Sequence, residues 1–145
     1  MIVSTAIKES DRQWMKFAVT LSRKSQGLTS ENPNVGCVVI DANGFLCGSG
    51  YTQKGGRPHA ETIALENAGE KARGGTLYVT LEPCSHYGKT PPCANNIIQL
   101  GIKRVLIGRL DPDLRVNGSG VELLKKAGVE VEVGLLQEDV INCIP

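Results

Sequence analysis

The stretch TLYVTLEPCSHYGKTPPCANNIIQLG, residues 76–101, reads as a strand, a loop and a helix in succession. TLYVTL (76–81) is apolar enough for a buried strand. Pro92 suits the first turn of a helix over 92–101, and Gly101 suits its C-cap. Between strand and helix lie Cys84 and Cys93, nine positions apart, each directly after a proline, with His86 and Lys89 in the gap. Zinc knuckles space their cysteines by roughly two to four residues. With one thiol beyond a strand end and the other at a helix start, the two need not be close in sequence to share a site.

Working outward, the rest of the chain keeps the same alternation. Trp14, Phe17, Ala18 and Leu21 recur at helical spacing over 11–23, with Ser10 or Asp11 as candidate N-cap. VGCVVID (35–41) and FLCGSGYT (45–52) read as a hairpin turned by Asn43-Gly44, a type I′ pair. A helix is expected over 59–69, a strand over 104–108, a helix over 119–127 stopped by Gly128, and a last alternating strand over 129–136. Five strands interleaved with helices predict an α/β fold, a mixed five-stranded sheet with helices on both faces. Such sheets bind ligands beyond the carboxyl ends of their parallel strands. Cys84 belongs at one of those ends.

Composition narrows the function classes. The 145 residues suit one domain, expected to span 1–145. With 21% charged and 41% apolar residues, a packed globular chain is expected. A net charge of +1 gives no reason to expect a nucleic-acid partner. MIVSTAIKESDR lacks the pattern of a signal peptide, and no apolar run approaches the ~20 residues of a membrane span. The expectation is a cytoplasmic protein with no membrane partner. Five cysteines, an odd number, favour thiols or a metal site over a disulfide framework.

His59-Ala60-Glu61 opens a predicted helix. Alone it could be a surface histidine near an N-cap, with Glu61 favoured by the helix dipole. Cys84 and Cys93 alone could be small buried hydrophobes. Together, His-x-Glu followed by Pro-Cys and a second cysteine is the signature of zinc-dependent base deaminases. Zinc takes imidazole and thiolate ligands tetrahedrally, and a catalytic site keeps one position for water. His59, Cys84 and Cys93 would supply three ligands. A helix start would lower the thiol pKa of Cys93. Positions i and i+2 on a helix do not face each other, so Glu61 is expected to carry protons rather than bind metal beside His59.

The chain resembles the cytidine deaminase superfamily, and within it the pyrimidine deaminases of riboflavin biosynthesis. The resemblance rests on ENPNVGCVV (31–39), PHAETIAL (58–65), TLYVTLEPCSHYGKTPPC (76–93), GIKRVLIGRLDPD (101–113) and VNGSG (116–120). It implies a three-layer α/β/α sandwich, with His59, Cys84 and Cys93 as zinc ligands and Glu61 as the catalytic proton shuttle. It further implies Asn32, His86, Lys89 and Asp111 as substrate-binding residues, with Asp111 near the ribose. The implied reaction is hydrolytic deamination of 2,5-diamino-6-ribosylamino-4(3H)-pyrimidinone 5′-phosphate. It also implies a homo-oligomer and a reductase acting on the product, on a separate chain if none is fused. Thr52 and Asp113 stand where bacterial members of this group often carry histidine and asparagine. Two other classes fit the same residues: a deaminase of a different nucleoside, nucleotide or RNA base, and a structural zinc module closed by His86. Gly118-x-Gly120 fits either a substrate contact or a simple helix entry.

Overall fold

The computed structural model describes residues 7–28, 33–85, 93–112 and 117–143, with side chains through 140. In chain order it contains α1 (Glu9–Arg23), β1 (Gly36–Ile40), β2 (Leu46–Tyr51), α2 (Ala60–Ala68), β3 (Thr76–Leu81), α3 (Cys93–Gln99), β4 (Arg104–Arg109), α4 (Ser119–Lys126), β5 (Glu130–Val133) and α5 (Gln137–Cys143). The strands form one sheet in the order β2-β1-β3-β4-β5. β1 is antiparallel to β2 and β3, whereas β3, β4 and β5 run parallel. The expected mixed five-stranded sheet is therefore present.

Alternation along the strands builds two cores. Cys37, Val39, Leu77, Val79, Leu81, Val105 and Ile107 face one way, against Ala60, Ala64 and Leu65 of α2, Ala94 and Ile97 of α3, and Leu124 of α4. Val38, Ile40, Tyr78 and Leu106 face the other way, against Met15, Ala18 and Leu21 of α1. Val19 and Val140 extend that second layer to α5. The product is the expected three-layer α/β/α sandwich. Helix α2 lies almost on the backbone of β2. A Cβ at Gly48 would come within 2.2 Å of the Ala64 carbonyl oxygen, and one at Gly50 within 2.7 Å of Ile63 Cβ. This close seating fixes the helix that begins next to His59.

Local details correct several expectations. The N-cap of α1 is Lys8, not Ser10 or Asp11. Asp11 sits at N3 and reaches back to accept the Lys8 backbone N–H at 2.8 Å. The Asn43-Gly44 turn is not type I′, because Asn43 lacks the positive φ that type requires. Instead Asp41 Oδ1 accepts the N–H groups of Asn43 and Phe45, each at 2.9 Å, and a register shift follows between Val39 and Ile40. The last strand ends at Val133 rather than 136, since the chain turns at Gly134 (φ 103°) and Leu136 (φ 56°) into α5, which was not expected. No helix among the described residues is long and apolar enough to cross a membrane.

The α1 side of the sheet holds a buried polar knot. Arg104 grips Asp11 with two nitrogens, each 2.9 Å from an oxygen, and the Tyr78 hydroxyl donates to Asp11 Oδ1. Burial alone would raise the Asp11 carboxyl. The Arg104 guanidinium, the Tyr78 hydroxyl and the Lys8 amide outweigh it and hold the group below its usual range. Asp11→Ala would strand the Arg104 charge and the Tyr78 hydroxyl, at a cost of about 3–5 kcal/mol in a urea titration. The native carboxylate's contribution is fully present above the ordinary carboxylate value of about 3.9. It is lost as pH falls through the lowered folded-state value. Asp11→Ala should therefore remove part of the wild-type loss of stability in acid; an unchanged acid limb would contradict this.

Candidate active site

The four residues expected to carry chemistry arrive from three elements. His59 is the N-cap residue of α2, in extended backbone just before the first helical turn. Cys84 follows the end of β3 by three residues, and Cys93 is the first residue of α3. The strand end and the helix start are tied directly. The Cys93 backbone N–H donates to Cys84 Sγ at 3.2 Å, and the Ala94 N–H donates to the Cys84 carbonyl at 3.1 Å. Cys93 Sγ lies 3.6 Å from His59 Nδ1. The ligand atoms of His59, Cys84 and Cys93 all lie within 4.8 Å of one another. Among the described residues, no other group of histidine, cysteine and carboxylate side chains comes together in this way.

The donor set can be tested against a metal. An imidazole nitrogen and a thiolate sulfur placed tetrahedrally at zinc bond lengths of roughly 2.0–2.1 and 2.3 Å stand about 3.5–3.6 Å apart. The 3.6 Å between Cys93 Sγ and His59 Nδ1 matches that edge. Electrostatics agree. The Cys84 thiol is lowered to about 4 by a hydrogen bond from Cys93, overcoming burial, with His59 and the Cys93 amide adding to the effect. Against the lowering expected from its helix start, Cys93 is pushed up by the Cys84 sulfur beside it, by burial and by Glu61. His59 is raised by its contact with Cys84 against the pull of burial. One negative charge is thus held by two sulfurs and an imidazole. A divalent cation is what would let both sulfurs be thiolates.

Glu61 lies in the first turn of α2 and is 5% exposed. It does not join the three-donor cluster. Burial pushes its carboxyl up to about 7, although its own backbone amide and the His59 charge pull the other way. A carboxyl poised there can both take and give a proton near neutral pH. A cavity of about 440 Å³, lined by Arg57, Pro58, His59, Thr62 and Asn96, opens beside His59.

Asp111 follows β4 by two residues. Leu81 pairs with Arg109 across the parallel strands, so Asp111 and Cys84 leave the sheet at the same end. Asn32, His86 and Lys89 lie outside the described residues, as does Asp113. Thr52 is buried, and its hydroxyl accepts the Val35 N–H at 2.9 Å, pinning the entry to β1. Sequence reasoning passed over Glu82, which is 5% exposed at the end of β3. Its signal was a glutamate directly after an apolar strand, a place where a charge needs dedicated partners.

The model of the cytidine and deoxycytidylate deaminase zinc-binding region matches residues 8–109. The riboflavin biosynthesis protein RibD of Aquifex aeolicus is 53% identical over 133 residues, covering 92% of this chain and 37% of that protein. The diaminohydroxyphosphoribosylamino-pyrimidine deaminase of Buchnera aphidicola subsp. Schizaphis graminum is 51% identical over 129 residues, covering 89% of this chain and 87% of that protein. The crystal structure of a diaminohydroxyphosphoribosylaminopyrimidine deaminase/5-amino-6-(5-phosphoribosylamino)uracil reductase from Thermotoga maritima superposes with a TM-score of 0.86 at 46% identity. That match covers 92% of this chain and 38% of the Thermotoga chain. This chain thus spans well under half the length of the Aquifex and Thermotoga proteins, but nearly the whole of the Buchnera one. Matched along most of its length by the family's zinc-binding region and by a relative of comparable size, the chain belongs to the cytidine and deoxycytidylate deaminase family, among the diaminohydroxyphosphoribosylamino-pyrimidine deaminases.

Proposed function

We propose that this chain hydrolyses the exocyclic amine of 2,5-diamino-6-ribosylamino-4(3H)-pyrimidinone 5′-phosphate, releasing ammonia and the corresponding aminouracil ribotide, with a single zinc ion as cofactor. The observation that carries this is a three-donor cluster beside a buried carboxyl, Glu61, that is not one of the donors. A structural zinc site has no use for such a group, which disfavours the structural module. The net charge of +1 disfavours an RNA substrate. The relatives named for riboflavin biosynthesis support the choice of ribotide.

In this reading His59, Cys84 and Cys93 hold the zinc. When bound, zinc lowers the pKa of water at the site to about 7 and so makes a nucleophile available at neutral pH. Glu61 manages the protons. It takes one from the attacking water and gives it to the adjacent ring nitrogen, then passes the remaining proton of that oxygen to the departing amine, so that the C–N bond breaks with ammonia as leaving group. A new C–O bond replaces the C–N bond, and no oxidant is needed. Asp111, at the same sheet end as Cys84, meets the ribose side of the nucleotide. Asn32, His86 and Lys89 supply the remaining polar contacts; their support is the sequence pattern. The Thermotoga relative is named as a reductase as well as a deaminase, and a reductase is accordingly the proposed consumer of the product here.

Glu61→Gln should keep one zinc per chain and an unchanged circular dichroism spectrum, while turnover falls by ~10²–10⁴. Loss of zinc from this variant would make Glu61 a ligand and overturn the role given to it. On a substrate panel with ammonia detection, the ribotide should react and cytidine, dCMP and tRNA should react little. A site built around particular polar partners rejects analogues lacking them by up to ~10⁴–10⁵. Lys89→Ala should weaken the ribotide reaction while leaving zinc bound. Efficient deamination of cytidine or tRNA with an inert ribotide would overturn the substrate assignment.

A further inference from the structure

At the site end of the sheet the buried Glu82 side chain is heavily engaged. Its Oε1 accepts the backbone N–H of Asp111 at 3.0 Å and of Gly118 at 2.9 Å. Its Oε2 accepts the N–H of Gly120 at 2.8 Å and of Val121 at 3.2 Å. One buried side chain thus satisfies four amides that lie 29 to 39 residues away in sequence. Three belong to the start of α4, whose N-cap Gly118 (φ 85°) has no side chain to do the job. Gly120 is required by the close approach. A Cβ there would come within 2.2 Å of the Pro83 carbonyl oxygen and 3.1 Å of Glu82 Cγ. The Gly118-x-Gly120 pair is therefore a helix entry built to receive a carboxylate from β3.

The fourth amide is what a helix cap alone does not explain. Asp111 and Gly118 stand at the two ends of one connection, between β4 and α4, and the same oxygen holds both. Asn117 Nδ2 donates to the Asp111 carbonyl at 2.8 Å across the same neck. Cys84 is held differently. Its sulfur and carbonyl are gripped by the amides of Cys93 and Ala94 at the start of α3. Glu82 and the start of α3 thus hold different residues at the end of β3, with Ser85 Oγ, 2.7 Å from Ser119 Oγ, joining the two. The helix start fixes the metal-ligand side, and Glu82 fixes the side bearing Asp111.

We propose that Glu82 is a positioning residue for nucleotide binding: it closes the neck between Asp111 and Gly118 and so sets where Asp111 meets the substrate, without holding the metal. The proposal rests on the reading of the chain as a pyrimidine nucleotide deaminase that uses Asp111. Glu82→Gln keeps the size of the side chain but offers only one oxygen. Whichever way the amide turns, two of the four backbone donors face an N–H₂ group. Asn117→Ala loosens the same neck from an exposed position, where the core is untouched.

The test measures kcat, KM and zinc content on purified Glu82→Gln and Asn117→Ala proteins. The substrate is the ribotide or, if the wild type is inert towards it, whichever pyrimidine nucleotide the wild type deaminates. An inert ribotide would thus sink the substrate reading without touching this one. Glu82→Gln should raise KM about tenfold or more with kcat within about threefold, the pattern of lost substrate positioning rather than lost chemistry. Zinc should stay at one per chain. Asn117→Ala should move KM in the same direction by a smaller factor, and it decides the matter if Glu82→Gln does not fold. Zinc loss in Glu82→Gln, a fall in kcat with KM unchanged, or an unmoved KM in Asn117→Ala would each overturn the proposal.

Discussion

Two cysteine sulfurs and an imidazole held within 4.8 Å of one another make a concentrated donor site, and two sulfurs this close can both be thiolates only with a cation between them. The site end of the sheet is organised around that demand. Parallel β3 and β4 end side by side, β3 delivers Cys84, and α3 starts with Cys93 so that its first amide faces the Cys84 sulfur. The close seating of α2 on the glycines of β2 brings His59 to the same point. The nine-residue spacing between the cysteines follows from this arrangement. One thiol belongs to a strand end and the other to a helix start, so no short knuckle has to close around the ion.

The opposite face supplies rigidity. Asp11, Tyr78 and Arg104 bind α1 to β3 and β4 on the side away from α2, α3 and α4. Helix α1 also lies directly on β1: a Cβ at Gly36 would come within 1.8 Å of the Ala18 carbonyl oxygen. The Gly36 amide is in turn held by the Thr80 hydroxyl at 3.1 Å, and the Val35 amide by Thr52 at 2.9 Å. Buried polar groups with these fixed partners leave the strands little freedom to slide. A site whose ligands must agree to within a fraction of an ångström needs such a frame.

Much of this was legible in the residues. Short apolar runs bounded by turn residues marked the five strands, and His59, Glu61, Cys84 and Cys93 stood out because metal chemistry restricts residue type so tightly. What escaped had partners distant in sequence or weak local signals. Glu82 gives no local hint that its four donors lie in another connection and another helix. Thr52 departs from the histidine expected by resemblance, yet its hydroxyl has a clear structural task at Val35. Helix α5 was hidden because Leu135 and Leu136 extend the apolar look of the last strand past the turn at Gly134. The Asn43-Gly44 turn misled because the Asp41 carboxylate, rather than the central pair, sets its shape.

The zinc site proposed for His59, Cys84 and Cys93 is catalytic rather than structural. Zinc K-edge X-ray absorption on the purified protein examines that most directly. Two sulfur scatterers at about 2.3 Å and one histidine nitrogen at about 2.0 Å are expected, with the remaining position filled by a light atom from solvent. A second histidine in the coordination sphere, which in this chain can only be His86, would close the site and contradict it.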